Sequence, residues 1–427
     1  MHFKKTTFKN GLRLVTAPMK DTNTATVIVA VAAGSKYETK NLNGLSHFLE
    51  HMMFKGTKKR PKTKDIAQAL DAVGGEFNAF TSEESTAYYA KVDKAHVGLA
   101  VDVVSDIFLN SKIEAKEIEK ERGVILQEIN MYEDTPMAAV QEEFEHLLYG
   151  DQPAGWKVIG TKENIKRVTR KNFLDYRAKL YNAENTVVCV AGNFGEEGEE
   201  KVIRDVKKIF SKMKKGGVNG KVKTVERQSG PNIKIKHKKT DQVHLILGFR
   251  GYGMFHPDRY ALALLANILG GTMSSRLFLS VRERQGLAYY VKAGTEEYSD
   301  CGYFSVRAGV DTDRRKIEKT VKTILAEVKK TLAKGVTAKE LQSAKDNLRG
   351  RMALTLESSD EVASYFAGQE LARREIKTPE QILAKIEKIS RDDILKVAKD
   401  VFANEKLNLA FIGPIEDKVF LEKILAL

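Results

Sequence analysis

The sequence predicts an α+β chain built from two similar domains. Three observations carry that prediction. Strand-like apolar runs alternate with long helical ones. The two halves resemble each other at an offset of about 223 residues, which suits a duplicated domain rather than a solenoid. Between the copies lies KMKKGGVNGKVKTVERQSG (Lys212 to Gly230), rich in Gly, Lys and Ser and without an apolar period. We therefore expect domains at 1–211 and 231–427 joined by a linker at 212–230. Each domain, at about 200 residues, is large enough for its own core.

The elements follow in chain order. TATVIVAVAAGS (24–35) reads as a strand, and its counterpart in the second copy is VHLILGFRGYG (243–253). The run from Gly44 to Phe54, GLSHFLEHMMF, is mostly apolar but carries His47, Glu50 and His51. These spell H-x-x-E-H, the inverted order of a zinc-peptidase motif. Histidines four apart on a helix face the same way, so both imidazoles can reach one metal. Glu50, beside them, can hold water without ligating the metal itself. By chance alone the pattern is roughly a one-in-a-hundred event in such a chain. Polar groups among Leu45, Phe48, Leu49, Met52 and Met53 are semi-buried and need partners, which a metal supplies.

Asn78-Ala79-Phe80-Thr81 follows Gly74-Gly75 and precedes an alternating stretch ending in Tyr88-Tyr89. It reads as a strand near a sheet edge. The stretch Glu114 to Asp134 is rich in helix formers and reads as one long helix. Glu121 and Glu128 stand seven apart on it, two turns along the same face. Taken alone, such a pair is also what a solvated charged face looks like. NTVVCVAGN (185–193) and LNLAFIGP (407–414) are matching strands that end in glycine. In VRERQGLAYYV (281–291), Arg282 and Tyr289 are again seven apart, and alone they read as a surface arginine and a packed tyrosine. AKEIEKERGVILQEINMYEDTP (115–136) parallels AKELQSAKDNLRGRMALTLESSD (338–360).

Three segments carry a more specific signal: GLSHFLEHMMFKGT (44–57), GGEFNAFTSEESTAYYA (74–90) and ERGVILQEI (121–129). In these the chain resembles the pitrilysin, insulysin and mitochondrial processing peptidase family, and the resemblance covers essentially its whole length. It implies that each domain is a mainly antiparallel sheet backed by helices, the two related by pseudo-twofold symmetry. It implies that a glutamate about 77 residues after the second histidine completes the zinc site, which falls on Glu128. The glutamate seven residues earlier, Glu121, then supports the site from behind. The N-A-F-T strand then binds substrate by strand addition through Asn78, Ala79 and Phe80. Arg282 and Tyr289 are implied to contact the peptide near the scissile bond, serving the partner subunit's site in short-chain members. A homodimer enclosing a chamber is the expected assembly, with a heterodimer as the alternative.

The internal repeat adds its own test. The offset carries His47, Glu50 and His51 onto Gly270, Met273 and Ser274, and Glu121 and Glu128 onto Ala344 and Arg351. Every polar residue of the site is absent from the second copy while the apolar frame persists. The fold therefore does not require these residues, and one Zn²⁺ per chain is expected.

Composition bounds the remaining classes. Hydrophobic content of 42% and charged content of 30% fit a soluble globular protein. No run reaches the ~20 apolar residues of a membrane span, and the N-terminus lacks the apolar core of a signal peptide. We expect a cytoplasmic protein without a membrane partner. The net charge of +14 comes from scattered lysines, with no legible nucleic-acid module, so no nucleic-acid partner is expected. Cys189 and Cys301 sit in strand-like apolar settings and read as buried free thiols. The sequence thus predicts a zinc endopeptidase acting on peptides, with Glu50 as general base. Its main rival is a non-catalytic core or assembly subunit, a class that typically lacks such ligands.

Overall fold

The computed structural model describes residues 1–218, 220–373, 375–417 and 419–427. Position 219 of the expected linker and positions 374 and 418 of the expected second domain lie outside the described residues. The chain forms two compact units. The first comprises Met1–Ile129, Lys157–Val222 and Met352–Glu380; the second comprises Asn130–Trp156, Lys223–Arg351 and Gln381–Leu427.

The first unit is built on six strands: β1 (Lys4–Thr7), β2 (Arg13–Pro18), β3 (Thr24–Val31), β4 (Glu76–Thr81), β5 (Thr86–Asp93) and β6 (Thr186–Gly192). They lie in the order β1-β2-β6-β3-β5-β4. Only β2 and β6 run parallel; the other neighbours are antiparallel. β3 and β6 are apolar at nearly every position because both faces of the sheet are covered. Along β3, Val27, Val29 and Val31 enter one core, while Ile28 and Ala30 enter the other. The first core receives α1 (Leu45–Met53), α2 (Thr63–Asp71) and α3 (Val97–Asn110), together with part of α4 (Ala115–Asp134).

The second unit holds β7 (Asn232–His237), β8 (Gln242–Arg250), β9 (Ala288–Glu297), β10 (Gly302–Asp311) and β11 (Leu407–Gly413). Their order, β7-β11-β8-β10-β9, repeats β2-β6-β3-β5-β4, and again one pair, β7 with β11, is parallel. Each unit is therefore a mainly antiparallel, mixed sheet with helices against it, an α+β fold.

The covering helices are exchanged. After α4 the chain enters α5 (Pro136–Tyr149), which packs on the second sheet: Val140 and Phe144 meet Ile246, Tyr303 and Ala410. The chain then returns to the first unit for α6 (Lys162–Arg167), α7 (Arg170–Leu180) and α8 (Gly198–Phe210). In the second copy come α9 (Arg259–Ala266), α10 (Arg314–Lys334) and α11 (Ala338–Thr355). The next helix, α12 (Ser359–Arg373), packs on the second face of the first sheet, where Val362, Ala363 and Phe366 meet Ile28, Val187 and Cys189.

Polar contacts fix α12 in place. Ser359 Oγ lies 2.9 Å from the hydroxyls of both Thr24 and Thr26. Glu370, fully buried, pairs with Lys5 at 2.8 Å and Arg13 at 2.9 Å. The helices α5 and α12 are counterparts in the repeat, so each copy lends the other its equivalent helix. Neither unit is a contiguous run of chain, and the ranges 1–211 and 231–427 each leave a covering helix across the boundary. The division near the middle of the chain falls between Val222 and Lys223, inside 212–230.

Both cysteines are buried, and among the described residues neither forms a disulfide. Among the described residues, no helix is long and apolar enough to cross a membrane.

Candidate metal centre

The α1 helix has two stripes. Leu45, Phe48, Leu49 and Met52, at spacings of three and four, are fully buried and anchor it in the core. Phe48 meets Phe173 of α7 edge-on at 5.0 Å between ring centroids. The opposite stripe carries His47, Glu50 and His51.

The start of α1 is fixed by close packing and by a carboxylate. Gly44 has φ +98° and its backbone touches that of Gly160. A Cβ at Gly44 would stand 2.6 Å from the Ile159 carbonyl, so glycine is required twice over. Glu38, buried, accepts from the Gly44 N–H at 2.8 Å and from the Ser46 N–H and Oγ at 2.6 Å. It thereby satisfies N–H groups that a helix start leaves without partners. Burial pushes its carboxyl up to about 7, against the lowering pull of those donors.

Glu128 of α4 arrives opposite the two histidines. His47 Nε2 and His51 Nε2 each lie 3.6 Å from one of its carboxylate oxygens. One donor atom from each of His47, His51 and Glu128 falls within 4.8 Å of the others. Two tetrahedral ligands at ~2.1 Å from Zn²⁺ are ~3.4 Å apart, so this donor set fits the ion with only small adjustment.

The protonation states fit as well. Burial and the neighbouring His51 bring His47 down to about 3, leaving a neutral imidazole, the form that ligates. His51 is raised: burial lowers it, but the hydrogen bond to Glu121 and the surrounding carboxylates outweigh that. Glu121 Oε1 lies 2.9 Å from His51 Nδ1, which fixes the tautomer so that Nε2 faces Glu128. Glu121 also pairs with Lys55 at 2.5 Å. Burial raises Glu121, yet the His51 and Lys55 contacts hold it below the usual carboxylate range. Glu128 is raised by burial and by Glu121.

Glu50 stands on the β4 side. Its Oε2 accepts the Thr81 hydroxyl at 2.6 Å. Burial raises its pKa, Thr81 and His51 pull it back, and Glu128 adds to the rise. β4 is an edge strand. Along it, Glu76, Asn78 and Phe80 are exposed, while Phe77, Ala79 and Thr81 are half-buried.

The first unit therefore brings His47, Glu50, His51, Glu121 and Glu128 together, with Asn78, Ala79 and Phe80 on the adjoining strand. Arg282 and Tyr289 lie in the second unit, where the Arg282 guanidinium stands 5.7 Å from the Tyr289 ring centroid and 4.9 Å from that of Phe278. Tyr289, near the start of β9, is 74% exposed rather than packed. Sequence reasoning missed Thr81, Lys55 and Glu38. Period-two alternation on β4 puts Thr81 on the face opposite Asn78 and Phe80, and that signal was readable. Lys55 and Glu38 lie outside the helix, and no spacing rule points to them.

Two imidazoles and a carboxylate converging beside a further carboxylate are the donor set of a zinc hydrolase. The insulinase (peptidase family M16) model matches residues 13–162, and the peptidase M16 inactive domain model matches residues 167–348. The chain is similar to an uncharacterized zinc protease of Bacillus subtilis, 35% identical over 96% of this chain and 98% of that one. It is similar to another of Streptomyces coelicolor, 37% identical over 97% of this chain and 90% of that one. Among solved structures it resembles a protease from Helicobacter pylori at a TM-score of 0.89 and 25% identity, covering 97% of this chain and 99% of that one. The chain belongs to the insulinase family, peptidase family M16. The inactive-domain match, over residues 167–348, takes in Gly270, Met273, Ser274 and Ala344, four of the second-copy positions from which the site residues are absent.

Proposed function

We propose that this chain is a zinc endopeptidase that hydrolyses short or unfolded peptides. The observation that carries the reading is the convergence of His47, His51 and Glu128 with Glu50 alongside. The three ligands would hold one Zn²⁺ per chain, and the ion would supply Lewis acidity at the scissile carbonyl and acidify water towards ~7. Glu50 takes the proton of the attacking water and returns it to the leaving amine. Its raised pKa keeps it basic enough to accept that proton, and Thr81 aims the carboxylate. Glu121 holds His51 in the ligating tautomer.

The edge strand β4 offers unpaired backbone groups to an extended peptide, with Asn78 and Phe80 presented outward and Ala79 between them. Arg282 and Tyr289 supply a cation and a hydroxyl for the peptide backbone and the developing oxyanion. In our reading these come from a second copy in a homodimer whose enclosed chamber selects flexible substrates. A cytoplasmic setting is part of the same reading, in keeping with two buried cysteines that form no disulfide among the described residues.

The test is cleavage of a mixed library of unstructured peptides by the zinc-loaded chain and by Glu50→Gln. We expect zinc-dependent cutting that falls by about 10²–10⁴ in the variant while its metal content stays unchanged. No cutting by metal-loaded wild type would favour an assembly role.

A further inference from the structure

β9 is the edge strand of the second sheet and the topological counterpart of β4. A pocket of about 530 Å³ opens beside it, within the second unit. Its walls are mostly apolar: Tyr289 and Tyr290 from β9, and Met137 and Val140 from α5. Tyr290 lies across Gly309 of β10, where any Cβ would collide with it, and its hydroxyl reaches His244 Nδ1 at 3.0 Å.

Two cations and Gln242 complete the lining. Lys292 and Arg307 are directly opposite each other in the β9–β10 register. Like charges at directly opposed positions destabilise a sheet. Among the described residues neither is in an ion pair, although this chain pairs many of its other exposed lysines and arginines. An unrelieved like-charge pair at the end of an apolar pocket calls for an anion that arrives with an apolar group attached.

We propose that this pocket is a specificity subsite for a peptide carboxylate adjoining a large apolar side chain. Lys292 and Arg307 bind the carboxylate, and the tyrosines, Met137 and Val140 hold the side chain. The carboxylate is that of an acidic residue or of the peptide C-terminus. The substrate class rests on the peptidase reading; the binding chemistry stands on the pocket itself.

The test uses the full-length, zinc-loaded Glu50→Gln chain and fluorescent, unstructured peptides at low ionic strength, read by anisotropy. One peptide carries Glu beside Phe with an amidated C-terminus, a second has Gln for that Glu, and a third is the Gln peptide ending in Phe with a free carboxylate. We expect the Glu peptide, the free-carboxylate peptide or both to bind about tenfold tighter than the amidated Gln peptide, about what two exposed ion pairs supply. Which of the two gains identifies the carboxylate source.

Lys292→Gln with Arg307→Gln should erase the difference while leaving the amidated Gln peptide unchanged, with a melting temperature equal to or above that of the parent. Lys292→Glu with Arg307→Glu should turn the preference to a Lys-bearing peptide, a reversal that a misfolded variant cannot produce. Equal affinities in the parent, or a carboxylate preference that survives either double variant, overturns the proposal. If wild type cleaves none of these peptides yet binding follows the two cations, the peptidase reading fails and the pocket stands. Cleavage indifferent to the carboxylate does the reverse.

Discussion

Glu121 touches no expected metal-binding atom, yet zinc affinity should depend on it. It makes two charge-assisted contacts, with His51 Nδ1 at 2.9 Å and Lys55 Nζ at 2.5 Å. In Glu121→Gln the amide oxygen can still accept from His51 Nδ1, but as an uncharged acceptor. Charged hydrogen bonds contribute about 1.5–3 kcal/mol and neutral ones about 0.5–1.5, so the loss is about 1–1.5 kcal/mol, or about tenfold in Kd. Glu121→Ala leaves the imidazole without an acceptor and should approach the hundredfold limit seen for such supports. Chelator competition on folded protein measures both.

The pH dependence sharpens the test. Glu121 raises the His51 pKa, and a protonated His51 cannot ligate. Removing Glu121 lowers that pKa, so protons compete less with metal in the variant. The ratio of variant to wild-type Kd should be largest in mild alkali and shrink as the pH falls through the wild-type His51 pKa. A Glu121→Ala affinity within about twofold of wild type in mild alkali would refute the claim that the buried glutamate holds the ligand in its ligating form.

Three further outcomes are expected. Thr81→Val removes the 2.6 Å donor that lowers the Glu50 pKa. Glu50 must be ionised to act as a base and loses activity as pH falls through its pKa, so the acid limb of kcat/KM should move up by about one pH unit. Phe366→Ala empties a fully buried position of α12 against the first sheet and should cost about 3–5 kcal/mol in urea unfolding. Gly44→Ala places a Cβ at φ +98° against the Ile159 carbonyl and should cost about 2–4 kcal/mol, with weaker zinc binding because α1 is displaced.

Much of the site was legible because its logic is local. H-x-x-E-H is a statement about one helical turn, and helix geometry carries it directly to shared orientation. Glu128 was harder: its spacing from Glu121 also fits a solvated face, and it took the resemblance, with the absence of both glutamates from the second copy, to distinguish the two. Lys55 and Glu38 act through contacts that depend on where the chain runs after α1 and before it, which no periodicity encodes. The sheet order was implicit in the repeat, since equivalent strands occupy equivalent places. The helix exchange was not. A repeat offset shows that α5 and α12 are equivalent, but the same offset holds whether each helix covers its own sheet or the other's. Small apolar residues such as Ala363 and Ala367 suit either surface.

That exchange also sets a timetable for synthesis. The first sheet is complete in sequence once β6 ends at Gly192, yet the helix that covers its second face among the described residues is α12, which ends at Arg373. About 180 further residues must be made in between, roughly 10–40 s at cellular elongation rates of ~5–20 residues per second. Throughout that interval Ile28, Val187 and Cys189 line a face with no helix on it. The metal-binding half of the nascent chain therefore waits, half-dressed, for a segment near the far end of the message, and any stall or truncation before residue 359 leaves an apolar sheet for chaperones and proteases to find.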